Sequence, residues 1–320
     1  MSFRARTRHT PMIDEADFTR LAEPHRRELH VHCYRMLANY EEAEDLVQET
    51  FLRAWRKRDD YAGRATFRAW LYKIATNACL DAIAKRKPVS GEVLWLQPYP
   101  DVALAPREDE PDAVVIEKET IELAYIVAIQ HLPATQRAVL ILRDVVGWSA
   151  KETAELLETS VAAANSTLQR ARETMRARLP AQRDGWSASA GGQERALAER
   201  YIAAADAGDT AALIAMISED AVFSMPPEPE RIVGNRAMVE GWVSGGFGDV
   251  DEFGELRCTL TWANRQPAIA NYRRKPGEDT FHLFAIDVLR IEGDRITDIT
   301  MFGADAVLAA FDVPETWVPA

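Results

Sequence analysis

Acid–base or metal chemistry has one dense candidate in this 320-residue chain: "HRRELHVHC", which gathers His25, His30, His32 and Cys33. On a helix, residues two apart point to different faces, so the cluster cannot converge on one ion, and the spacing predicts a mixed helix surface instead. A different chemistry is written in two basic stretches. The first interleaves Arg64, Arg68, Lys73, Asn77, Lys85, Arg86 and Lys87 with Tyr61, Phe67, Trp70 and Tyr72. Cations beside rings suit a single nucleic-acid strand, because stacking gives roughly 1–3 kcal/mol per base. That offsets the few kcal/mol needed to pull a base from a duplex. Phe67 and Tyr72 fall on a core stripe, leaving Tyr61 and Trp70 as the candidates for stacking.

The second stretch, "SAKETAELLETSVAAANSTLQRARETMRARL", runs from Ser149 to Leu179 and reads as two helices joined by a tight corner. Ser149, with Lys151 two residues on, opens the first helix; Thr159 and Ser160 supply the corner and the second cap. Ala154, Leu157, Val161 and Leu168 fall where a helix-turn-helix buries its apolar contacts. Such a motif places the early residues of its second helix in a major groove. Those are Ala162, Ala163, Asn165, Ser166 and Gln169, with Arg170, Arg172 and Arg176 for phosphates or base edges.

The elements that must hold these residues follow from periodicity. In "EEAEDLVQETFLRAWRKRDDY", Leu46, Val47, Thr50, Phe51 and Ala54 recur at helical spacing, with acid early and base late as the helix dipole prefers. "ATFRAWLYKIATNACLDAIAKRK" repeats the pattern through Phe67, Leu71, Ile74, Ala78 and Ala82. Helices are expected at about 114–130, 134–144, 150–158 and 161–178, with Pro133 at a helix start and Gly147 closing one helix before Ser149. Residues 194–320 change character. Helices fit 194–207, 209–217 and 235–245, followed by alternating strands "AVFSM", "ELRCTLTWAN", "PAIANYRRK", "TFHLFAIDVLRIEG" and "RITDITMF", with "EGDR" as a hairpin corner. Loop-like stretches at 87–112 and 180–193 separate the blocks, so the expected boundaries are 14–86, 87–112, 113–179, 180–193 and 194–320.

The net charge of −12 is uneven: residues 1–183 hold 27 basic and 27 acidic residues, and residues 184–320 hold 11 and 23. The part expected to touch nucleic acid is therefore free of the excess negative charge that would oppose it. Three scattered cysteines argue for a reducing compartment. No apolar run approaches the roughly 20 residues of a membrane span, and the N-terminus lacks a secretory core, so a cytoplasmic address is expected.

In the acidic block, Met225, Trp242, Trp262, Asn264, Tyr272 and His282 are the candidate pocket residues, with "TWANRQPAIANY" the most pocket-like run. His282 and Asp287 lie five apart on one expected strand, so alternation points them to opposite faces and gives no catalytic dyad. No catalytic residue, metal or cofactor is expected.

"DLVQETFLRAW" (Asp45–Trp55), "FRAWLYKIATNACLDAIAKRK" and "LPATQRAVLILRDVVGWSAKETAELLETSVAAANSTLQRARETMR" occur in that order. Together they resemble the extracytoplasmic-function group of sigma-70 factors, across regions 2 and 4. "WLQPYPD" (Trp95–Asp101) looks like the linker of variants with a C-terminal extension, and residues 194–320 are similar to SnoaL-like, NTF2-type cones. The resemblance implies a multi-domain fold: two all-α sigma domains, a region 2 bundle and a region 4 helix-turn-helix, followed by an α+β cone.

It implies that Asp45, Gln48, Glu49, Phe51, Leu52 and Trp55 dock on the clamp of RNA polymerase, among its β and β′ subunits. It further implies that residues 64–87 open a −10 promoter element, that residues 149–176 read a −35 element, and that the linker runs through polymerase toward the RNA exit path. The family usually has glycine where this chain has Glu158 and a basic residue where it has Asn165, so a slightly different corner is expected. A fused acidic domain offers regulation in cis, attracted to cationic surfaces nearby; it is also the place for a small-molecule ligand. A free-standing ligand-responsive helix-turn-helix regulator, and a SnoaL-type isomerase or hydrolase tethered to DNA-binding helices, remain rival readings.

Overall fold

Asn39 begins the helix that carries the first functional stretch: its side chain accepts from the Glu42 backbone, and the preceding helix ends at Ala38 in the left-handed region (φ 60). The computed structural model describes residues 14–61, 66–86, 96–105, 120–179, 191–306 and 310–317. Its first part holds α1 (Glu15–Ala22), α2 (Arg26–Leu37), α3 (Tyr40–Arg56) and α4 (Phe67–Lys85). The α2 helix runs through the centre of this bundle, with Leu29, Val31, Cys33, Tyr34, Met36 and Leu37 all buried. The "HRRELHVHC" segment is thus core rather than a mixed surface. Its histidines face separate partners: His32 Nε2 meets Thr76 Oγ1, His30 Nδ1 meets Tyr99 Oη, and His25 Nδ1 meets Glu28.

The next helices are α5 (Leu123–Gln130), α6 (Ala134–Leu140), α7 (Ala150–Leu156) and α8 (Val161–Arg178), with a wider helical turn at Ile141–Val145 finishing α6. Arg137 ties them to the bundle. Its buried guanidinium donates to Met36 O at the end of α2 and to the Gln130 side chain and backbone, and burial pulls its pKa down to about 10.

The last part combines α9 (Gly191–Asp206), α10 (Thr210–Met216) and α11 (Asn235–Ser244) with β1 (Ile217–Ser224), β2 (Arg231–Val233), β3 (Glu255–Ala263), β4 (Gln266–Arg274), β5 (Phe281–Glu292), β6 (Arg295–Gly303) and β7 (Thr316–Trp317). The sheet order is β2-β1-β6-β5-β4-β3, with β7 beside β5; β1 and β6 run parallel and the other pairs antiparallel. The short β2 and β7 lie outside the strands expected from alternation.

Both faces of this sheet are covered. One carries Phe223, Ile269, Leu289 and Ile299 against Leu197, Tyr201, Leu213 and Met238 of the local helices. The other carries Ala268, Ala270, Ile286, Val288 and Phe302 and joins the continuous core of Tyr34, Tyr99, Ile121 and Ile126. The strand that reads "QPAIANY" is buried at every position from Gln266 to Tyr272, as a strand covered on both sides must be.

Candidate nucleic-acid interface and the surfaces around it

The α3 helix presents Asp45, Gln48 and Leu52 as one exposed stripe, with Leu52 51% exposed despite its apolar side chain. Glu49 is half-buried and bonds Arg53 at 2.7 Å. Phe51 and Trp55 lie on the flank and pack inward. The Arg26 guanidinium covers the Phe51 ring at 4.9 Å, and Trp55 meets Phe18 edge-on at 5.4 Å under the Arg58 guanidinium.

Thr66 caps α4 by accepting from Ala69 N. Tyr61, Phe67 and Trp70 form one ring cluster, with Tyr61 and Trp70 centroids 5.1 Å apart. The cations expected beside them divide into distinct roles. Arg68 is committed to structure: it bonds Glu28 at 2.6–3.0 Å, and the Glu28 side chain is only 2% exposed. Burial would raise the Glu28 carboxyl, but hydrogen bonds from His25 and Arg68 outweigh it and hold the group below its usual range. Arg86 likewise pairs with Glu42 and donates to Leu37 O at 3.1 Å. Asn77 and Lys85 remain exposed. Arg64 and Lys87 lie outside the described residues.

The helix-turn-helix forms as its caps dictate. Ser149 and Glu152 exchange hydrogen bonds in a capping box, Gly147 takes φ +81, and Ser160 Oγ accepts from Ala163 N. The buried seam uses Ala154, Leu156, Ala164, Leu168, Ala171 and Met175. Val161, expected inside, is 44% exposed because it begins α8 on the outer side, and Leu157 is only half-buried. On the outer face of α8, Ala162, Asn165, Ser166, Gln169, Arg170 and Arg176 are exposed and Ala163 is half-buried. Arg172 is held by Asp144 through two bonds of 2.7 and 2.8 Å. Lys151 is exposed, 3.9 Å from Glu155.

Glu158 adopts φ 53, the left-handed conformation that glycine takes freely and that costs other residues strain. Its carboxylate reaches Lys73 Nζ of α4 at 2.9 Å, and the Tyr72 and Trp148 rings lie 5.4 Å apart. The two basic modules therefore touch each other.

The stretch Leu96–Ala105, expected as part of a loop-like linker, is a wedge buried at Leu96–Pro100 and Leu104. Tyr99 is 1% exposed among His30, Tyr34 and Tyr40. Gln97 Oε1 accepts from Tyr40 N and Glu41 N, adding a second cap to α3.

Onto this wedge drops the β3–β4 turn, whose Asn264 and Arg265 have φ 54 and 59, as a two-residue hairpin of this twist needs. Asn264 Nδ2 donates to Tyr34 Oη at 2.9 Å and to Ile121 O at 2.7 Å, while its Oδ1 accepts from Tyr99 N at 2.7 Å and its own N–H donates to Tyr99 O. Arg265 N donates to Asp101, and Gln266 Oε1 accepts from Leu123 N. One turn thus joins the first bundle, the wedge and the start of the helix-turn-helix block.

The expected pocket residues do not share a cavity. Asn264 is in the latch just described. Tyr272 faces the helical core, with its hydroxyl on Pro314 O. Trp242 packs on the opposite face against Phe223. Trp262 sits under Arg195, and Met225 and His282 are exposed. Alternation places His282 and Asp287 on opposite faces; the register shift of β5 opposite Asn271 and Tyr272 instead pairs them with Arg273 and Ile269 on one face, His282 exposed and Asp287 buried. Sequence reasoning missed Gln97, Tyr99 and Asn264 as contacts; the run Pro267–Ala270, apolar without alternation, was the available signal that its sheet has a second partner.

Among the described residues, no helix is long and apolar enough to cross a membrane.

Comparison with known proteins matches three family models in order: Sigma-70 region 2 at residues 21–89, Sigma-70 region 4 at residues 122–175, and a SnoaL-like domain at residues 198–299. The chain is 37% identical to the ECF RNA polymerase sigma factor SigG of Mycobacterium tuberculosis, over 94% of this chain and 85% of that protein. It is 31% identical to the ECF RNA polymerase sigma factor SigW of Bacillus subtilis, over 56% of this chain and 97% of that one. The crystal structure of Mycobacterium tuberculosis extracytoplasmic function sigma factor SigJ is similar in fold, with TM-score 0.62 and 20% identity over 90% of this chain and 97% of that one.

Proposed function

The chain belongs to the extracytoplasmic-function (ECF) RNA polymerase sigma factors of the sigma-70 family, and from that premise we propose that the structure is its promoter-silent form. The protein binds core RNA polymerase and directs initiation at specific promoters; it performs no chemistry of its own and works in the cytoplasm. We assign residues 14–86 to polymerase and −10 recognition, 113–179 to −35 recognition, and 194–320 to a SnoaL-like regulatory cone, with linkers at 87–112 and 180–193. The exposed α3 stripe of Asp45, Gln48 and Leu52 meets the polymerase clamp, an apolar residue flanked by polar ones as partner recognition requires. Tyr61, Trp70, Lys73, Asn77 and Lys85 serve the −10 element, and the outer face of α8 serves the −35 element.

One observation carries the silent state: α4 and the corner before α8 are in contact through Lys73 and Glu158. Promoter elements whose labels differ by 25 base pairs stand about 85 Å apart along B-form DNA at 3.4 Å per pair. Modules that touch cannot reach both, so engagement requires α8 to leave α4. The Asn264 turn supports regulation in cis, since it binds both modules and the wedge between them. Run-off transcription with core bacterial polymerase tests the assignment. The full chain should yield promoter-dependent transcripts, and more of them once the latch is weakened. Failure to bind core polymerase, or transcripts independent of promoter sequence, would refute it.

A further inference from the structure

A cleft of about 310 Å³ opens between the helix-facing side of the sheet and the start of the region 4 block. Leu123 and Val127 of α5 form one apolar wall and Val288 of β5 the other. Arg178 at the end of α8 and Arg231 of β2 stand on the rim, both exposed. Deeper in, Arg290 reaches Asp298 at 3.2 Å and pairs with Glu292, and Glu228 is exposed at the rim. Arg290 is thus taken up by its two carboxylates, and across the rim Arg178 and Arg231 face Glu228 alone, with His131 beside them, in a cleft that is half apolar.

We propose that this cleft binds a small organic carboxylate with an apolar body, and that the bound molecule holds the cone and region 4 together. The charge excess calls for one negative group, and the planar guanidinium fork of Arg231 or Arg178 matches a carboxylate with two parallel hydrogen bonds. Asp298 fits the same field: burial raises its pKa, and Arg290 and Arg231 oppose the rise. The volume lies at the small end of ligand sites and equals that of about ten waters, so the body is the size of a bicyclic ring or a medium alkyl chain. The site differs from the interior of the cone because one of its walls belongs to region 4.

That shared wall fixes the direction of the effect, and this step rests on the docked form being silent. A cleft built from both sides exists only while they are docked, so its ligand stabilises that form alone. At a hundred times the dissociation constant, the docked population rises about hundredfold relative to the open one. The carboxylate is a repressing signal.

Calorimetric titration of the full chain with 2-naphthoate and octanoate tests the site, with 2-naphthylmethanol, octylamine and inorganic phosphate as controls. The carboxylates should bind saturably at one site. Arg231→Gln, a rim change that leaves the fold alone, should weaken them at least tenfold; Val127→Trp, which fills the cleft, should abolish binding. No saturable binding by either carboxylate to millimolar concentration overturns the site. So do equal affinity for the alcohol, binding of phosphate only, and affinity unchanged in both variants. In run-off assays with holoenzyme, the carboxylate should lower transcript yield from the full chain and not from Val127→Trp. Binding without a transcriptional effect refutes the repressing role and keeps the site; absence of any promoter-dependent transcript without ligand refutes the sigma reading instead.

Discussion

Lys73 Nζ of α4 lies 2.9 Å from Glu158 Oε1 at the corner of the helix-turn-helix. On the assignment proposed above, Lys73 serves the −10 element and the corner precedes the −35 helix, so this pair holds the two modules together. The Lys73 side chain is 40% exposed and that of Glu158 77%, so water and salt weaken the tie and leave it easy to break. Position 158 adds a second effect, because its φ of 53 suits glycine better than glutamate.

Glu158→Gly should therefore remove the pair and relieve the corner, raising promoter-dependent transcription severalfold at low ionic strength. Glu158→Gln keeps the strained corner and removes only the charge. It should give a smaller gain that vanishes in high salt, measured by run-off yield against potassium chloride concentration.

Asn264→Ala should unlatch the cone. The substitution removes hydrogen bonds to Tyr34, Ile121 and Tyr99 from a buried site, and each orphaned partner costs about 1–3 kcal/mol. Small-angle scattering should show a larger radius of gyration than the parent, with unchanged helix content by circular dichroism.

Asp45→Arg combined with Leu52→Arg should abolish association with core polymerase in a native gel. Both side chains point to solvent, so the melting temperature should stay within a degree or two of the parent.

Arg68→Ala should behave as a core lesion rather than a DNA-contact mutant. It strips the main cation from Glu28, whose side chain is 2% exposed, and a broken buried pair costs about 3–5 kcal/mol. Urea unfolding of region 2 should shift accordingly. A variant of full stability with weakened promoter binding would return Arg68 to the DNA surface.

Asp287 gives the cone a pH dependence. Burial pushes its carboxyl from 3.8 up to about 7, opposed by a hydrogen bond with Asn271. A raised acid favours the folded state in its neutral form, so its contribution is complete below about pH 4 and is lost as pH rises toward 7. Asp287→Asn should match the parent at pH 4 and exceed it by a few kcal/mol at pH 8, read by thermal melts across that range.

Much of this architecture is legible from local pattern. The period of apolar residues marks α3, α4 and α8, serine marks both caps of the helix-turn-helix, and alternation marks β3, β5 and β6. Long-range pairing is not legible that way. Nothing near Arg68 in sequence announces Glu28 forty positions earlier, so a structural cation reads as a DNA contact. Asn264 reads as a pocket residue at a strand end, because the partners of Asn264 and Arg265 lie in segments more than 140 residues away. Glu158 misleads for a different reason: its identity argues against a left-handed corner that the flanking helices impose.

The helix-facing side of the sheet leads to a last consequence. Ala268, Ala270, Ile286, Val288 and Phe302 stay dry only because the protein's own helices lie over them. If those helices depart for a promoter, as the proposed opening requires, a wide greasy plate is laid bare, and water does not tolerate such a plate for long. Activation on that reading is an exchange of neighbours, with some other apolar surface sliding into the vacancy.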